Sequence, residues 1–267
     1  MKEMSVDVKI EARSIFRILA IRTIVDDKTF VSKLTHEFKK LLRRIPLTPR
    51  ITDKDGHADY LNYRQPHDGD DKDTTDIEKM GEERLCRAVK GFFGMSDKHL
   101  GEVVDYQVPL SSSDDVGEGV IDLISKKDKE KEIYIIEAKS WKSPDHPIRA
   151  IFEALTFWKM IGGDGNCSNF IKRYNESEKN RRRSLPVGAI AYPAILLYKK
   201  SKIYDKMMTG QDFGYYKELY QKIYKMHKLK CFSYDYDKED GKIKIYDFTK
   251  DFGKKLGLEA SGAVKSR

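Results

Sequence analysis

Cysteine is scarce in this chain of 267 residues: Cys86, Cys167 and Cys231 are odd in number and lie far apart. No CxxC pair occurs, which argues against a disulfide framework or a structural zinc site and fits a reducing cytoplasm. Long apolar runs are missing too. Nowhere do about 18 consecutive apolar residues occur, as a membrane-crossing helix would need. Asp7, Glu11 and Arg13 interrupt the first segment, which does not read as a secretory signal. No internal repeat is visible. A membrane-free, cytoplasmic protein is the expectation.

What is present is charge and aromatic bulk. Hydrophobic residues make up 39% and charged residues 35%, with 15 Tyr and 12 Phe, enough for a core beneath a heavily charged surface. The formal net charge of +8 attracts polyanions, of which nucleic acid is the commonest, although many basic proteins bind none.

Periodicity divides the chain. Residues 1–50 read as a helical region. Ile15, Ile18 and Leu19 mark one apolar face, and Val31, Leu34, Phe38, Leu41 and Leu42 a second. Lys39, Lys40, Arg43 and Arg44 then suit a helix C-terminus, or alternatively contact phosphates. Residues 51–74 are acidic and polar, a loop or linker. Their aspartates lack the DxDxDG spacing of a calcium loop, and His57 and His67 receive no role. From Thr75 the order is helix (to about Phe92), strand (Val103, Tyr106, Val108), strand (Val120–Ile124), strand (Ile133–Ala138), helix (Pro147–Ile161) and strand (Val187–Tyr198). The run at 133–138 is apolar throughout, as in a strand buried on both faces. Residues 199–267 suggest a helix near 214–227, a hairpin around Asp240-Gly241 and a weakly patterned tail.

Two of these strands carry charge where charge is expensive. Glu137 and Lys139 close an apolar strand and, being two apart, share one face. One strand earlier Asp122 interrupts another apolar run. Pairing through the charged turn at 126–131 would set Asp122 beside Glu137, and two close carboxylates repel unless they share a proton or a cation. Hard oxygen ligands of this kind suit Mg²⁺, with Mn²⁺ able to substitute.

Gly119-Val-Ile-Asp122 followed by Ile136-Glu-Ala-Lys139 resembles the D…ExK signature of the PD-(D/E)XK nuclease superfamily. The element order over 75–198 resembles its core as well. Ile121 stands where the family name has proline. The resemblance implies an α/β fold with a restriction-endonuclease-like core: a central mixed sheet flanked by helices, here with an N-terminal helical region and a C-terminal helix and hairpin. It implies that Asp122 and Glu137 bind the metal with help from the Ala138 carbonyl. Lys139 would orient or deprotonate the attacking water. A further acid often comes from the preceding helix, where Glu78, Glu82 and Glu83 are candidates and Glu82 is favoured.

The resemblance thus implies a Mg²⁺-dependent deoxyribonuclease, foremost an endonuclease on double-stranded DNA, with a homodimer as one arrangement for cutting both strands. Alternatives are an exonuclease, a branched-DNA nuclease or an inactive nucleic-acid-binding module. Arg149 and Glu153 are either a surface i,i+4 pair or a contribution to the site. Lys179 with Arg181, Arg182 and Arg183 is either a phosphate contact or a solvated run. Trp141 reads as packing rather than base stacking.

Overall fold

In the computed structural model, the described residues are 28–43, 45, 81–93, 96–110, 120–143, 146–163, 165, 167–176, 183–210, 213–237 and 239–258. The earlier N-terminal helix, Arg44, the acidic loop, Glu78, Lys179 and Arg181-Arg182 lie outside them.

The described residues build an α/β fold with one mixed six-stranded sheet and seven α-helices. Helices α1 (Lys28–Arg43) and α2 (Glu82–Phe93) precede the meander β1 (Glu102–Pro109), β2 (Val120–Lys127) and β3 (Glu132–Lys139). Next come α3 (Pro147–Met160), α4 (Ser168–Glu176) and β4 (Ile190–Tyr198). The chain continues through α5 (Lys202–Thr209), α6 (Lys217–His227), β5 (Lys230–Asp237), β6 (Lys242–Asp247) and α7 (Thr249–Lys255). Strands lie in sequence order, with β3, β4 and β5 parallel and the outer pairs antiparallel.

Within the described residues, the anticipated elements are present with adjusted ends. The last strand of the 75–198 stretch begins at Ile190, because Val187 sits exposed in the preceding turn. Three helices had no clear signature: α4 inside the polar stretch, then α5 and α7. The C-terminal hairpin extends the same sheet, since Leu196 pairs with Phe232 and Leu197 with Ser233.

The sheet has two cores. On one face α1, α3, α4, α5, α6 and α7 bury a large cluster that includes Phe38, Ile151, Tyr174 and Phe252. The other face carries Leu85 and Val89 of α2 against Tyr134, Ile136 and Tyr234. Helix α2 touches both edge strands, β1 and β6, so the sheet curls around it. Both faces being covered explains the unbroken apolar sequence of β3 and β4. In α1 the exposed Lys39, Lys40 and Arg43 follow the apolar stripe, with Lys40 and Arg43 in the last turn, where cations complement the helix dipole.

Alternation of side chains is interrupted at one row of the sheet. Asp105 pairs with Ile124, Tyr106 with Leu123 and Val108 with Ile121, which sets Gln107 opposite Asp122. Leu123 and Tyr106 belong to the α2 core, yet Ile121 and Val108, two residues along, belong to the other. Regular pleating would keep residues two apart on one face. Gln107 accommodates the switch with φ of 50°, left-handed space that non-glycine residues rarely enter.

Candidate active site

The irregular row coincides with a fork. The β2–β3 ladder runs from Lys127 opposite Glu132 to Leu123 opposite Ile136 and ends there. Strand β3 continues to Lys139 on β4, while β2 continues on β1. At the fork the Asp122 side chain takes the place of a backbone acceptor. Its Oδ2 receives the Ala138 amide at 2.9 Å, and its Oδ1 receives Gln107 Nε2 at 2.8 Å.

Beyond the fork, Glu137 Oε1 lies 2.7 Å from Lys139 Nζ. That ammonium also meets Glu153 Oε2 of α3 at 2.8 Å and Glu82 Oε1 of α2 at 3.7 Å. Glu153 in turn accepts from Arg149 Nε at 3.0 Å. Helices on opposite faces of the sheet therefore converge on one lysine at the carboxyl end of β3. Asp122, Glu137 and Lys139 are all buried, at 6%, 5% and 4% exposure, so their charges depend on protein partners: one another, Gln107, the Ala138 amide, Glu153 and Glu82.

Electrostatics follow from that burial. Desolvation pushes the Asp122 carboxyl up to about 6, against the Ala138 amide and the Lys139 ammonium, which favour its charge. Desolvation and the Asp122 charge hold Glu137 well above its ordinary value, outweighing Lys139. Burial acts in the same direction on Glu153, but hydrogen bonding from Glu137 and the charges of Lys139 and Arg149 prevail and lower it. Glu137 and Glu153 titrate as a pair. Burial disfavours the Lys139 ammonium, yet Glu137, Glu153 and Glu82 more than compensate and raise it. Lys139 is a fixed cation.

Of the expected site residues, Asp122, Glu137, Lys139 and Glu82 are brought together, Glu82 as the most distant and most exposed. Glu83 turns away to Arg87. Glu153 is a full member, and its i,i+4 partnership with Arg149 is part of the cluster. Gln107 and Cys86 carried no sequence signal. Cys86 is fully buried beneath the site, its thiol pushed up by burial and by the charges of Asp122, Glu137 and Glu82. Trp141 does not pack in the core: it is 39% exposed, with Lys142 Nζ 5.7 Å from its ring centroid.

Among the described residues, no group of three or more His, Cys, Asp or Glu side chains is gathered to hold a metal by itself. The donors do match what Mg²⁺ takes, which is commonly one or two carboxylates plus retained waters. Burial is the first cause of the raised proton affinity of Asp122 and Glu137, and a bound cation would stabilise the charged forms that burial disfavours.

Comparison with protein-family models, curated proteins and solved structures gave no match. Among the described residues, no helix is long and apolar enough to cross a membrane.

Proposed function

We propose that the chain is a Mg²⁺-dependent nuclease with a restriction-endonuclease-like core, hydrolysing DNA phosphodiesters at the β2–β3 fork. The observation that carries this reading is the meeting of Asp122, Glu137 and Lys139 where the two strands part. Supporting it are the succession of helix, antiparallel meander, helix and parallel strand, and the net charge of +8.

Asp122 and Glu137, with the Ala138 carbonyl, would hold the metal, and Mn²⁺ would serve in its place. When bound, the ion lowers the pKa of coordinated water and offsets charge on the phosphate. Lys139, kept protonated by three carboxylates, acts as a hydrogen-bond donor and cation rather than as a base. It orients the attacking water and stabilises negative charge developing on the phosphoryl oxygens. Glu153 and Arg149 fix the direction of that ammonium. Gln107 and the Ala138 amide fix the rotamer of Asp122.

The test is incubation with circular and linear DNA and with RNA in Mg²⁺ or Mn²⁺, beside Lys139→Ala. Nicking of circular DNA would indicate an endonuclease, and cutting of linear DNA alone an exonuclease. No metal-dependent cutting of any substrate would sink the enzyme reading. The complete engagement of Lys139 by carboxylates favours, as second reading, an ionic lock in a nucleic-acid-binding module that lacks catalysis.

A further inference from the structure

A second feature lies at the amino end of β5, whereas the fork opens towards the carboxyl end of β3. The C-terminus of α6, the start of β5 and helix α7 line a cleft of about 810 Å³. Lys225, Lys228, Lys230, Lys250 and Lys254 line it, and among the described residues no carboxylate does. The cleft beside the β5–β6 hairpin is unlike it, since there Lys200 and Lys244 are matched by Asp235, Asp237 and Glu239.

The floor of the lysine cleft is apolar and braced. Tyr224, Leu229 and Leu258 contribute to it. The Tyr224 hydroxyl donates to the Thr249 carbonyl at 3.0 Å, and Thr249 Oγ1 accepts from the Cys231 amide at 2.8 Å. Lys230 Nζ stands 4.9 Å from the Tyr192 ring centroid. Lys254 also meets Asp251 at 3.4 Å, an exposed pair that neutralises little.

Two costs are concentrated here. Lys250 and Lys254 are like charges four apart on one helix, and Lys225 and Lys228 are three apart, spacings at which like charges repel. Lys228 adopts φ of 50° just past α6, a position where glycine or asparagine is usual. A cation at a helix C-terminus gains from the dipole, but five cations around one concavity exceed what that explains.

We propose that this cleft is a nucleotide-binding site, with phosphate oxygens held by the lysines and the base set against Tyr224, Leu229 and Leu258. The size fits a nucleotide-scale ligand. The ligand is either a free nucleotide or one unit of a polynucleotide, and the site is independent of the nuclease reading.

The experiment measures thermal stability and calorimetric affinity with four probes: inorganic phosphate, a nucleoside monophosphate, a single-stranded oligonucleotide and a polyglutamate peptide. The proteins are the full chain and Lys228→Gly/Lys250→Gln. The glycine relieves the left-handed residue, and the unliganded melting temperature checks folding. Expected is stabilisation by the nucleotide or the oligonucleotide, with affinity falling about tenfold per lysine removed. Tighter binding of the monophosphate than of the oligonucleotide, compared per site, assigns a free nucleotide, and the reverse a polynucleotide. Equal binding by the double variant, binding of polyglutamate in preference to both nucleotides, or no binding of either nucleotide probe overturns the proposal.

Discussion

The Ala138 amide donates at 2.9 Å to Asp122 Oδ2, so the peptide between Glu137 and Lys139 is held by the carboxylate across the fork. Three residues of a short motif are thereby one mechanical unit. Displacing Asp122 releases the backbone that aims the other two, and its protonation state and the direction of Lys139 become linked.

Asp122→Asn should change how stability depends on pH. The folded-state value of about 6 exceeds the ordinary 3.8, so the native state binds more protons in that interval. The contribution to stability is fully present below about 4 and is lost as pH rises through about 6. Without divalent ions, the asparagine variant should be more stable than the parent at pH 8 by up to about 3 kcal/mol, and show no gain at pH 4. Urea melts at both pH values decide it. Parallel pH profiles for the two proteins would contradict the burial argument.

Lys139→Met should cost roughly 3–5 kcal/mol at pH 8, because it strands carboxylates in a dry site. Without the ammonium, Glu137 and Glu153 bind protons more readily in the folded state, so the loss shrinks towards pH 5. Chemical denaturation across pH 5–8 measures the slope, and a penalty independent of pH would count against the shared-lysine geometry.

Glu153→Gln should reduce cleavage by about 10–100-fold, the range for removing a group that orients a functional one. Glu82→Gln, at a longer distance and more exposed, should cost less than about fivefold. Single-turnover rates of the two variants supply the comparison. A larger loss from Glu82 would reverse their assigned importance.

Gln107→Gly should leave stability within about 1 kcal/mol, since relief of the left-handed residue offsets the lost hydrogen bond. Asp122 loses a donor that favours its charged form, so the acid limb of the activity profile should move to higher pH. A rate–pH profile at fixed metal concentration reads the shift, and an unmoved limb would show that Gln107 does not tune Asp122.

Much of the sheet was legible because β2, β3 and β4 are apolar strands bounded by polar turns, and Asp122, Glu137 and Lys139 stood out as charges within them. Glu153 was harder to place. Twelve of the fourteen residues of α3 are buried, so the apparent polar side of that helix faces protein. Gln107 was invisible because its importance lies in a backbone angle and a cross-strand partner, neither of which leaves a periodic mark. Helices α4, α5 and α7 span only nine, eight and seven residues, too few turns for a stripe to declare itself. The parallel pairing of β4 with β5 joins segments separated by two helices, a long-range choice that local pattern does not encode.

That pairing has a consequence for dissecting the chain. Strand β4 is buried along eight of its nine residues and lies inside the sheet because β5 covers its outer edge. A fragment ending at Tyr198 would expose a row of unpaired amides and carbonyls on an oily ribbon, a template for self-association. Such a fragment should aggregate on expression even though it retains Asp122, Glu137 and Lys139. The last quarter of the chain acts as a molecular bookend for the strands that carry them.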